Sequence, residues 1–104
     1  MAVVEVTVVP LGTGTPSLSS YVAECETVLN RYKNLKYTLT PMSTVIEGDL
    51  DVILEAIREM HEVPFKLGVK RVSTHINIDD RRDKKLTMEG KIEAVEKKLQ
   101  QRDL

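Results

Sequence analysis

From Val3 to Val9 apolar and polar positions alternate, with Val4, Val6 and Val8 in one phase and Glu5 and Thr7 in the other. That two-residue period in a β-branched run predicts a strand with one buried face. Leu18, Tyr21, Val22, Cys25, Val28, Leu29 and Tyr32 then recur at three- and four-residue steps, which predicts an amphipathic helix ending near Asn34. Lys36 to Thr40 alternates around Tyr37 and Leu39, Thr44 to Glu47 forms a second short run, and Pro41-Met42-Ser43 between them predicts a hairpin. Pro41 cannot donate to a ladder, so the second strand is expected at a sheet edge. A second helical period passes through Leu50, Ile53, Leu54, Ile57 and His61, with Asp49 or Asp51 placed to cap it and Pro64 to end or kink it. Alternation resumes between Val69 and Ile78 as a fourth strand. Met88, Ile92, Val95 and Leu99 then mark a narrow apolar stripe on a charged C-terminal helix of about residues 86–102, which needs a surface of its own domain or of a neighbouring subunit.

The order strand, helix, strand, strand, helix, strand contains a split β-α-β arrangement with right-handed crossovers. It predicts an α+β fold, a ferredoxin-like βαββαβ sandwich with a four-stranded antiparallel sheet plus an extra C-terminal helix. The chain, residues 1–104, is expected to form a single domain. Two helices then cover one sheet face, and strands one and three lie in the centre. Placing the more apolar set of each strand under the helices turns Glu5, Thr7, Thr38, Thr40, Met42, Val45, Glu47, Arg71, Ser73, His75 and Asn77 toward the open face. A one-residue slip in the short third strand would exchange Thr44 and Ile46 with Val45 and Glu47. With the first parity, two carboxylates sit among threonine hydroxyls on that face, which suits a cationic or amine-bearing ligand.

The segment from Pro10 to Ser17, PLGTGTPS, joins the first strand to the first helix. Its glycines allow close approach and a helix N-terminus offers free N–H groups, while Thr15 is expected to cap the helix with Pro16 at its first position. Fifteen basic and 16 acidic residues leave a net charge of −1, so no overall field draws the protein to nucleic acid or anionic membrane. The single cysteine, Cys25, forms no internal disulfide and lies within an apolar stripe, which makes it a core residue rather than a nucleophile. A reducing cytoplasm is the expected location. The apolar run at residues 2–9 contains Glu5 and is too short to span a membrane.

Several chemistries lose support from residue types alone. An RNA-binding sheet of this topology offers stacking aromatics on its central strands, whereas this chain has one Phe, three Tyr and no Trp, and its tyrosines belong to core patterns. The first loop has neither an arginine suited to acylphosphatase chemistry nor the G-K-[ST] ending of a phosphate-binding loop. His61 continues an apolar stripe, and His75 faces the open side between Ser73 and Asn77 without a defined triad. Asp79, Asp80 and Asp83 interleave with Arg81, Arg82 and Lys84 and read as a salt-bridge cluster rather than a metal site.

The loop at residues 10–17, the hairpin LTPMSTVIEG at residues 39–48, His61, and the segments Arg71–Thr74 and Ile78–Lys84 together resemble the small thiamine-binding protein family, long uncharacterised. The resemblance spans nearly the whole chain. It implies dimers through sheet contacts, or dimers of dimers, and binding of thiamine or a related pyrimidine without catalysis and without a cofactor. The residues it implies for the ligand are Thr13 and Ser17 in the loop, Thr38, Thr40 and Met42 before the turn, Thr44 and Glu47 after it, and His75. Glu47 is the foremost of these. Ser43 departs from a Met-Gly-Thr pattern more usual in the family. The competing expectation is a structural or regulatory module whose open sheet serves only assembly.

Overall fold

The computed structural model describes residues 1–102. The chain runs β1 (Ala2–Leu11), α1 (Ser19–Asn30), β2 (Lys36–Leu39), β3 (Thr44–Gly48), α2 (Leu50–Lys66), β4 (Arg71–Asp80) and α3 (Met88–Arg102). All neighbours in the β2-β3-β1-β4 sheet are antiparallel, so β1 and β3 are central, and β2 is an edge as Pro41 requires. This is the expected ferredoxin-like sandwich with an added helix.

Side-chain parity follows from the ladder, because residues opposite one another share a face. Glu5 pairs with Val45 on one side and Asn77 on the other, while Val4 pairs with Ile46 and Ile78. Val4, Val6 and Ile46 therefore point at the helices, and Glu5, Val45 and Glu47 point away. The third strand takes the unslipped register. Thr44, opposite Val6, consequently lies on the helix side.

The core packs Val4, Val6 and Ile46 of the sheet against Leu29 of α1 and Ile53 of α2, all at most 2% exposed. Burying each such side chain contributes about 1.5–3 kcal/mol. Cys25 lies in this layer, its Sγ donating to the Met60 carbonyl at 3.5 Å. Burial, reinforced by the charges of Glu26 and Glu24, pushes its thiol up to about 11.

Local signals around the helices differ from the sequence expectation in two places, the start of α1 and Pro64, and agree with it at the start of α2. Thr15 does not cap α1, which begins at Ser19 after Leu18 with no side-chain cap. Gly12 and Gly14 take left-handed φ values of 74° and 78° and carry the chain through a longer turn. Within it the Thr13 hydroxyl donates to the Thr15 carbonyl and the Ser17 amide donates to Thr15 Oγ1. Asp49 caps α2 by accepting from the Asp51 amide at 2.9 Å. Pro64 sits inside the last turn of α2, which continues to Lys66, and the Pro64 carbonyl accepts from the amides of Leu67 and Val69 where the helix ends.

The C-terminal helix finds part of its surface on its own sheet. Lys36 pairs with Glu89, and Lys91 with Asp79, holding the first turns of α3 against the open face. Beyond them Ile92, Val95 and Leu99 are 60%, 58% and 53% exposed.

Two outcomes follow from this core. Leu29→Ala is expected to lower the unfolding free energy by about 2–5 kcal/mol in urea titration, with the m-value unchanged. Cys25 in the native protein is expected to stay unlabelled by a thiol reagent at pH 8 and to react fully once urea unfolds the chain.

Candidate functional site

Glu5 stands at the middle of β1 on the face turned away from α1 and α2. Asn77 Nδ2 donates to its Oε1 at 2.8 Å, and Ser43 Oγ donates to its Oε2 at 2.9 Å. These two hydrogen bonds, that from Asn77 foremost, hold the Glu5 carboxyl below the usual carboxylate range. Both donors are neutral, and no lysine or arginine pairs with Glu5 among the described residues. The carboxylate thus keeps its full negative charge.

The hairpin turn fixes one of those donors. The Thr40 hydroxyl donates to the Ser43 carbonyl at 2.8 Å and accepts from the amides of Ser43 and Met42 at 3.0 and 3.3 Å. The Thr40 amide also donates to the Ser43 carbonyl. With the backbone closed this way, the Ser43 hydroxyl is aimed from the start of β3 at Glu5 on the neighbouring β1, a contact that glycine at this position could not make.

Glu5 lines a cavity of about 480 Å³ on the open face. Val3, Thr38, Thr40 and Val45 line it on the sheet, Asn77 and Asp79 border it along β4, and Met88, Lys91 and Ile92 border it from α3. Small-molecule sites occupy roughly 300–1,000 Å³ with mostly apolar walls and a few convergent polar groups, and this cavity has that make-up. Lys91 neutralises Asp79, which leaves Glu5 as the uncompensated charge. A second cavity, of about 220 Å³, lies on the helix side between the hairpin, α1 and Met60. It falls below the usual size range.

The residues expected from the sequence are distributed over several places. Thr38 and Thr40 line the open-face cavity. Thr44 is on the other side of the sheet, where its hydroxyl donates to Glu26 and borders the smaller cavity. Met42, 83% exposed, projects from the hairpin tip and borders the same smaller cavity. Glu47 has the open-face parity but is only 6% exposed, opposite Val3 and Lys36 and outside the cavity wall. His75 on β4 lies opposite Thr7 of β1, its Nε2 3.1 Å from Ser73 Oγ. Thr13 borders a separate depression with Gly12, Tyr21 and Arg71, and Ser17 remains in the exposed loop. The structure adds Glu5 and Asn77, which parity had placed on the face, and Val3, Asp79, Met88, Lys91 and Ile92. The signal for Glu5 was a lone carboxylate in a valine-rich strand; the α3 contributors had none.

Among the described residues no group of three or more His, Cys, Asp and Glu could hold a metal ion. No helix among them is long and apolar enough to cross a membrane.

Comparison with known proteins agrees with this architecture. A UPF0045 protein of Bacillus subtilis, YqgV, is 52% identical over 103 residues, covering 96% of this chain and 99% of that protein. A UPF0045 protein of Methanothermobacter thermautotrophicus is 42% identical over 100 residues, covering 95% of this chain and 100% of its own. The crystal structure of a hypothetical protein from Methanocaldococcus jannaschii matches with a TM-score of 0.83 at 41% identity, covering 90% of this chain and 94% of that one. The family model described as thiamine-binding protein matches residues 4–96. With nearly its whole length matched, the chain belongs to the thiamine-binding protein family.

Proposed function

We propose that the protein binds thiamine, or a related pyrimidine carrying positive charge, on the open face of its sheet and does so without turning it over. The observation that carries this reading is Glu5. It is an ionised carboxylate held in place by Asn77 and Ser43, lacking a cationic partner among the described residues, at the wall of a cavity of small-molecule size. A thiazolium or protonated amine supplies the missing charge. Thr38 and Thr40 offer hydroxyls to an aminopyrimidine, and Val3, Val45, Met88 and Ile92 offer apolar contact to ring faces. Family membership points to the same ligand class. In this role the protein is a carrier, buffer or sensor in the cytoplasm, and it associates with further copies of itself. Of the residues implied by resemblance, Thr38 and Thr40 take direct roles in this reading.

A second reading, an assembly module without a ligand, draws on the exposed Ile92, Val95 and Leu99 stripe of α3. Calorimetry separates the two. Titration with thiamine, its phosphates and the free aminopyrimidine is expected to give saturable heat for at least one of them, and no heat from any overturns the binding reading. Glu5→Gln keeps the side-chain size and the Asn77 hydrogen bond to its remaining oxygen, with the Ser43 hydroxyl turning to accept from the new amide, but removes the charge, and should weaken binding about 10–100-fold, as loss of a charged hydrogen bond worth about 1.5–3 kcal/mol requires. Because Glu5 titrates below the ordinary carboxylate range, affinity should be flat through neutral pH and fall only in acid, as protons neutralise the group the cation needs. In the Glu5→Gln variant that acid loss should disappear.

A further inference from the structure

Lys70 and Arg71 stand next to each other where α2 turns into β4, and neither has an ion-pair partner among the described residues. Gly68, left-handed at φ 95°, makes that turn, and its amide and that of Val69 donate back to the carbonyls of Phe65 and Pro64. The turn delivers both cations to the end of the sheet where Leu11 pairs with Arg71. There they border a depression of about 380 Å³, together with the first loop and Tyr21 of α1. It is separate from the open-face cavity. The two share no residue, and Leu11 lies six residues along β1 from Glu5, about 20 Å of strand.

The charge of this depression is the reverse of that around Glu5. No carboxylate lines it, and two cations are left side by side. Uncompensated like charges repel one another, and an anion received between them removes that repulsion. Arg71 presents a planar fork that takes two oxygens at once, and Lys70 a compact charge with three N–H donors. The Thr13 hydroxyl donates to the Thr15 carbonyl, but the Thr13 amide has no acceptor among the described residues. Tyr21 adds a phenolic O–H. At Gly12, left-handed at φ 74°, nothing lies within 4 Å of the place a side chain would begin, so the backbone is open to close approach.

We propose that this depression is a second binding site, for a phosphate group, free or carried on a small monoester, with Lys70 and Arg71 as its anchoring charges. A phosphate dianion draws on both cations at once, whereas a lone carboxylate satisfies only one. Its oxygens outnumber the cations and reach the Thr13 amide and the Tyr21 hydroxyl as well. Leu11 and Leu67, 38% and 55% exposed, give the same depression an apolar wall, which suits the organic part of an ester beside its anionic head. The site does not rest on the thiamine reading, because it shares neither residues nor charge sign with the open-face cavity.

Amide chemical-shift titration of the full chain with inorganic phosphate and with glycerol phosphate, at constant ionic strength, tests this. Saturable shifts are expected at Gly12, Thr13, Lys70 and Arg71, with Glu5 and Val45 undisturbed. Tighter binding of glycerol phosphate identifies an esterified ligand, and equal or tighter binding of inorganic phosphate identifies the free anion. Lys70→Gln combined with Arg71→Gln should lower the affinity at least about tenfold, since two charge-assisted contacts are lost. Lys97→Gln combined with Lys98→Gln removes the same charge from α3, outside the depression, and should leave the affinity unchanged. All four side chains are exposed, so both variants should keep the parent's circular dichroism. Absence of saturable shifts with both ligands at high millimolar concentration overturns the proposal. So does an equal loss of affinity in the two double variants, which marks diffuse attraction, or a response centred elsewhere in the molecule.

Discussion

The two-residue period of β1 is the constraint on which both faces of the molecule depend. β1 is laddered on both sides, to β3 and to β4, so each of its side chains fixes the facing of a neighbour on either hand. Val4 and Val6 enter the core and Glu5 stands opposite. A slip by one residue would drive the Glu5 carboxylate in among Ile46 and Ile53 and bring the valines out. Burying that charge unpaired costs several kcal/mol, and each valine forfeits about 1.5–3 kcal/mol of burial, so the register tolerates no alternative.

The site inherits its order from that register. Asn77 reaches Glu5 because β4 is in step with β1, and Ser43 reaches it because the Thr40 hydroxyl closes the hairpin turn. Neutral donors restrain a carboxylate without discharging it, whereas an arginine or lysine would restrain it and satisfy it at once. Asp79, paired with Lys91 a short distance away on the same cavity wall, shows the second arrangement. The two carboxylates therefore divide into one that anchors α3 and one left to meet a ligand.

Much of this was legible in the chain. Alternation in β1 and β4 alone places Glu5, Thr7, Asn77 and His75 on one face, and the order of elements identifies the central strands. The short third strand left Thr44 and Val45 interchangeable, and only pairing with β1 settles them, which separates Thr44 from Thr38 and Thr40. Burial is the harder quantity. Glu47 has the right period for the open face, yet its depth depends on what lies over it. The residues from Asp79 to Lys84 read as a salt-bridge cluster, and Arg81–Asp83 and Arg82–Asp80 pair there, but two further ion pairs, Lys36–Glu89 and Lys91–Asp79, bring the first turns of α3 onto the sheet. Contacts between segments so far apart leave no periodic trace. In the first loop, two left-handed glycines delay the helix, and Thr15 spends its hydroxyl on the turn instead of a cap.

The face of the sheet that the ligand meets decides whether Glu5 has the role its geometry offers. Amide chemical-shift mapping of the isotope-labelled protein, titrated with thiamine, reads this directly. The predicted result is saturable shifts centred on Glu5, Thr38, Val45 and Asn77, extending to Lys91 and Ile92 of α3, with Leu18, Val22 and Met60 undisturbed. Shifts centred instead on Leu18, Val22, Thr44 and Met60 would move the ligand to the helix-side cavity and contradict the account.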